Sequence, residues 1–113
     1  MEYTDKKIGF ASNLVPLIEN GEKTFTYRLE SKWNFLSQGD VIPVADSATE
    51  KIFGKAEIIS KDNVTFGQLP NEKEGHESYS SDDDRRSVFA GYYSRPVDDS
   101  EPFIIFGFKF LKN

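Results

Sequence analysis

Phe103-Ile104-Ile105-Phe106-Gly107-Phe108-Lys109-Phe110-Leu111 is apolar at nearly every position. A strand with one face in water alternates apolar and polar residues, because successive side chains point to opposite faces. A continuous apolar run needs cover on both faces, so this stretch predicts a central strand of a curved, mostly antiparallel sheet.

The rest of the chain arranges itself around that strand. Before it lies a loop from Ser94 to Pro102. Ser80-Ser81-Asp82-Asp83-Asp84 reads as a helix start, with a capping serine and acids in the first turn, and Val88, Phe89 and Tyr92 share one helical face. Pro70 to Tyr79 is a polar loop. Ile52 to Ser60 alternates as a strand, with Ile52, Gly54, Ala56 and Ile58 on one face. Val41 to Ala45 is another strand, and Pro43 predicts that it lies at an edge or pairs on one side. Ser31 to Phe35 is a loop. Upstream, Thr24 to Leu29 is a strand and Lys6 to Phe10 a short first one. Between them runs a helix capped by Ser12 or Asn13, tolerant of Pro16, apolar at Leu14, Leu17 and Ile18 and ended by Gly21. The order β-α-β-β-β-α-β predicts an α+β fold: a small β-barrel with two short helices.

Composition bounds the function. A chain of 113 residues, 37% hydrophobic and 14% aromatic with ten Phe, fits one globular domain over residues 1–113. It has no cysteine, which excludes disulfides, thiolate metal sites and cysteine nucleophiles, and its single histidine, His76, cannot build a multi-histidine metal centre. Neither a metal nor a cofactor is implied. No apolar run reaches membrane-spanning length, and Met1-Glu2-Tyr3-Thr4-Asp5 lacks the features of a signal peptide, so a cytoplasmic protein is expected. The net charge of −5 is matched by the segment Glu72 to Asp84, where six acids face one base, Lys73. A neutral body with one acidic segment is poor material for charge-driven binding of long nucleic acid, but it admits a small nucleoside.

The chemistry-bearing stretch is Gly21-Glu22-Lys23-Thr24-Phe25-Thr26-Tyr27-Arg28. In a straight strand Thr24, Thr26 and Arg28 line one face, and Lys23 joins them only if the chain bends after Gly21. A hydroxyl beside an amine and a guanidinium suits nucleophilic catalysis, although the same residue types also describe an ordinary half-exposed strand. Trp33 and Phe35 either cap the core or stack on a base. His76 reads as a solvated loop residue beside Glu77.

Taken in order, the early apolar helix, Gly21 to Thr24, Thr26, Arg28, Gly39-Asp40, the acidic glutamate-containing loop, a second helix and the aromatic last strand resemble the ASCH domain family. These are small barrels related to the PUA RNA-binding fold, and the resemblance covers nearly the whole chain. Within the family, Lys23-Thr24-Phe25-Thr26-Tyr27-Arg28 is most similar to the Lys-Thr-x-Thr-x-Arg run of short bacterial enzymes that hydrolyse N4-acetylcytidine to cytidine and acetate. The resemblance implies a triad of Lys23 as base, Thr26 as nucleophile and Glu77 as supporting acid or base, with Glu74 its rival for the carboxylate. It also implies substrate contacts from Arg28, Thr24, Glu74 and Trp33. Tyr27, Leu29 and a longer loop before Gly39 depart from the pattern. The alternatives in the family are a non-catalytic RNA-binding module and a ribonuclease, so the expected partner is a small nucleoside substrate or RNA.

Overall fold

A computed structural model describes all 113 residues. The strands are β1 (Ile8–Phe10), β2 (Phe25–Leu29), β3 (Val41–Asp46), β4 (Ile52–Thr65) and β5 (Pro102–Lys112). The helices are α1 (Val15–Glu19), α2 (Glu30–Trp33) and α3 (Asp82–Tyr93), with 3-10 turns at Ser12–Leu14 and Phe66–Gln68. No helix is long and apolar enough to cross a membrane.

The strands form one sheet in the order β1-β3-β4-β5-β2, antiparallel except for the β1–β3 pair. Register shifts at Val44/Ala45 and Ile58/Ser60 bend it, as bulges do. The bend brings the outer strands together. Arg28 of β2 donates from Nη2 to the Gly9 carbonyl of β1 at 2.8 Å, clasping the seam of a half-barrel.

β5 is paired on both sides and covered on both faces, as its composition predicts. Ile104, Phe106 and Phe108 enter the barrel core with Phe10, Ile42, Val44 and Ile58. Phe103 and Ile105 face the other way, into a second core with Tyr27, Leu29, Phe66, Tyr79 and Phe89 of α3. Burying a side chain of this kind is worth roughly 1.5–3 kcal/mol, so this strand anchors both layers.

Several local expectations change in three dimensions. α1 has no Ser12 or Asn13 cap; the Ser12 hydroxyl instead donates to Asp46 at 2.7 Å, tying the turn to β3. Ser31 to Trp33 lie in the single turn of α2, too short to leave a periodic signal. β3 is an interior strand; Pro43 falls between the Glu2–Val41 bridge and the ladder that starts at Ile8–Val44, where no N–H is needed. β4 runs past Ser60 to Thr65, because Lys61, Asp62 and Asn63 pair with Phe106, Ile105 and Ile104 despite their polarity. Ile52 is exposed, since the shift at Val44/Ala45 takes it out of the alternation of Gly54, Ala56 and Ile58. α3 forms as read: the Ser81 hydroxyl accepts from Asp84 N at 3.0 Å, with three acids in the first turn.

Candidate active site in the barrel seam

A cavity of about 350 Å³ opens where β1 and β2 approach each other. Gly9 and Phe10 come from β1, Thr26, Tyr27 and Arg28 from β2, and Phe89, Tyr92 and Tyr93 from α3, which lies across it. Lys23, His76, Glu77 and Tyr79 also line it, with Ala11, Leu14 and Ser47.

Local geometry explains how Lys23 reaches this cavity from the far side of a strand. Gly21 has φ +85°, and Lys23 N donates to Leu17 O at 2.9 Å, so the chain folds back on α1 before β2 begins. The bend on which the joining of Lys23 to Thr26 and Arg28 depended is present. The Lys23 side chain is only 4% exposed, and its ammonium donates to Phe25 O at 2.9 Å and to the Glu77 carboxylate. Burial pulls the Lys23 pKa below its ordinary value, with Arg28 adding to the effect and Glu77 opposing it. For Glu77, burial pushes upward, but the charges of Lys23 and His76 and the hydrogen bond from Lys23 hold it below the usual carboxylate value.

Glu77 reaches Lys23 because the loop is pinned at Gly75 and Asn71. Thr24 N and Phe25 N both donate to Gly75 O, at 2.8 and 3.1 Å. Further along, Tyr79 N donates to Asn71 O at 2.8 Å, and the buried Arg85 of α3 donates to the Asn71 side chain and, at 3.1 Å, to Asp82. The loop is therefore fixed at both ends by groups that sequence alone leaves unconnected.

Thr26 is buried in β2, and its hydroxyl oxygen accepts from Arg28 Nε at 2.9 Å. The Arg28 guanidinium lies 4.9 Å from the Phe10 ring centroid and 5.8 Å from that of Trp33. No hydrogen bond joins Lys23 to Thr26; the two share the cavity wall. An ammonium has three donors and Lys23 uses two, so one N–H remains for the cavity.

Of the sequence candidates, Lys23, Thr26, Arg28 and Glu77 come together here. Thr24 and Glu74 do not: they line a shallow surface beside Lys73 and Gly75, because Gly75 turns the loop between Glu74 and Glu77. Trp33 is also outside the cavity wall, packed on the barrel core and stacked on Phe35 at 5.7 Å. Sequence reading missed His76, whose side chain is 4% exposed rather than solvated and lies flat on Tyr27 at 3.8 Å. It also placed Tyr92 on a helical face with Val88 and Phe89 without a role in the site, and gave Tyr93 none. Their spacing on the last turn of α3 was the available signal, but only the packing of α3 shows what they face. No three His, Asp or Glu side chains converge as a metal site would require.

The sequence matches no model of a known protein family and no curated protein. Solved structures do resemble it. An ASCH domain from Lactobacillus crispatus superposes with a TM-score of 0.65 at 15% identity, over 96% of this chain and 81% of that one. An ASCH protein from Zymomonas mobilis gives a TM-score of 0.64 at 17% identity, over 94% and 68%. A protein from Pyrococcus furiosus gives 0.65 at 19% identity over the whole of both chains. Identities this low speak for architecture and leave the chemistry to the residues of the cavity: this chain has the ASCH-domain fold, a small PUA-like barrel.

Proposed function

We propose that this protein is an amidohydrolase that cleaves the acyl amide of N4-acetylcytidine, or of a related acylated cytidine, to cytidine and a carboxylate. The observation that carries the reading is the ion pair of the buried Lys23 with the partly buried Glu77, set in the same cavity wall as the Thr26 hydroxyl. A cavity of about 350 Å³ suits a small ligand, at the lower end of the usual range for such sites.

The pair supplies both a base and an acid. A proton passed from the Lys23 ammonium to the Glu77 carboxylate leaves a neutral amine and a neutral acid; this is the minor, reactive form, since Glu77 is held below the usual carboxylate value, and burial of the amine lowers the cost of reaching it. The amine takes the Thr26 proton as Oγ1 attacks the acyl carbon. The C–N bond then breaks, and Glu77 returns its proton to the leaving amine of cytidine. The acyl group now sits on Thr26, with Lys23 charged and Glu77 ionised again. A water molecule repeats the sequence: Lys23 takes its proton, the oxygen attacks the ester, and Glu77 reprotonates Thr26. Arg28 holds the Thr26 oxygen at 2.9 Å and places a positive charge beside the developing alkoxide.

The test is turnover of N4-acetylcytidine by the purified protein, read as release of cytidine and acetate. Release is expected. No release from any acylated cytidine, together with single-stranded RNA binding that weakens steeply with salt, would put the RNA-binding module in its place.

A further inference from the structure

The reaction above leaves His76 unused, although its side chain is buried in the cavity wall. His76 Nδ1 lies 2.9 Å from the backbone carbonyl of Glu77 and 3.9 Å from its carboxylate. A carbonyl can only accept, so Nδ1 carries the hydrogen and Nε2 is left as an acceptor. The ring is stacked on Tyr27 at 3.8 Å with only 5° between the planes, which fixes its plane in the cavity wall. Nε2 has no hydrogen-bond partner in the protein, and the ring lines the cavity with Lys23, Thr26 and Glu77.

We propose that His76 is the specificity-determining residue of this cavity: Nε2 accepts a hydrogen bond from the N–H at position 4 of a cytosine ring and thereby selects cytidine derivatives over uridine derivatives. The inference rests on the amidohydrolase reading, which requires position 4 of the base to lie beside Thr26. Cytidine and its N4-acyl derivatives carry a donor there. Uridine carries a carbonyl oxygen, which would face the lone pair of Nε2 and leave both acceptors unpaired in a water-poor site. Burial, reinforced by the Lys23 charge, lowers the His76 pKa to about 4, so the ring remains the acceptor form at neutral pH.

The experiment measures equilibrium binding of cytidine and of uridine at neutral pH, with wild type and His76→Phe, beside hydrolysis of N4-acetylcytidine. Because the chain has one histidine, ¹⁵N-histidine labelling reports this ring alone in the wild type. Cytidine should bind wild type about tenfold more tightly than uridine, the worth of one good hydrogen bond. Saturation with cytidine should shift Nε2 and leave Nδ1 protonated. His76→Phe keeps a flat ring against Tyr27 and should lose most of the discrimination. Equal affinity of wild type for the two nucleosides, an Nε2 signal unmoved at saturation, or full discrimination by folded His76→Phe would each overturn the assignment. Selective cytidine binding without hydrolysis would uphold the role of His76 and sink the catalytic reading. Failure to bind either nucleoside would overturn the role of His76, and would overturn the catalytic reading as well only if N4-acetylcytidine is also left intact.

Discussion

Thr24 N donates to the Gly75 carbonyl at 2.8 Å, so the start of β2 and the acidic loop share one hydrogen-bonded junction. Gly75 has φ +89°, and a Cβ placed there would lie 2.3 Å from Thr24 Oγ1 and 3.1 Å from the Phe25 ring. Gly75→Ala is therefore expected to cost about 1–3 kcal/mol through backbone strain and crowding, and to lower activity by shifting Glu77 off Lys23. Denaturant unfolding beside an activity assay checks both effects. A variant within about 0.5 kcal/mol of wild type would show that the junction matters little.

The roles in the cavity separate by substitution. Thr26→Ser should retain part of the turnover, because a hydroxyl remains. Thr26→Val should reduce it by at least about 100-fold at nearly equal volume. Lys23→Arg should be as damaging, since a guanidinium does not give up its proton. Glu77→Gln should impair hydrolysis strongly while Glu74→Gln leaves it near wild type, as only Glu77 meets Lys23. Circular dichroism of each variant distinguishes lost chemistry from lost folding. Full turnover by Thr26→Val would exclude the nucleophile role.

Arg28 joins the nucleophile to the barrel seam, with one N–H on Thr26 and another on Gly9 O. A lysine at this position supplies a point charge and cannot reproduce that fork. Arg28→Lys should cost about 1–3 kcal/mol of stability, from the lost charged hydrogen bonds. It should also lower turnover by loosening Thr26. Unchanged melting temperature and rate would show that the clasp is dispensable.

Acid should destabilise the fold in two overlapping windows. The His76 pKa is lowered from 6.5 to about 4, chiefly by burial. Between those values the unfolded chain binds a proton that the folded chain does not, so stability falls as pH drops from about 6.5 toward 4. The expected loss is on the order of 1–3 kcal/mol. The Glu77 pKa also lies below its ordinary 4.5, so its contribution is present above that value and is lost as pH falls further. Urea unfolding from pH 7 to pH 4 should show the decline, and His76→Phe should flatten its upper part. A flat profile in wild type would contradict the burial of His76.

The sequence by itself determined the features that local pattern encodes. Unbroken apolar character placed β5 between two cores, Ser81 with its acids started α3, and Gly21 marked the bend that brings Lys23 toward Thr26. Each of these depends on neighbours a few residues away, so the signal lies in one window. The length of β4, the interior position of β3 and the turn of α2 were not legible, since partners distant in sequence decide them: polar Lys61 to Asn63 pair only because β5 is beside them. The same division holds in the cavity. Lys23, Thr26 and Arg28 are close in sequence and could be grouped before folding, whereas the choice of Glu77 over Glu74 depended on the turn at Gly75. The burial of His76 depended on Tyr27 offering its ring face, and the tyrosines of α3 joined the wall only through the packing of that helix over the seam. A residue's type limits the chemistry it can perform; which charges it meets, and how much water remains, is set by contacts that exist only once the chain has closed on itself.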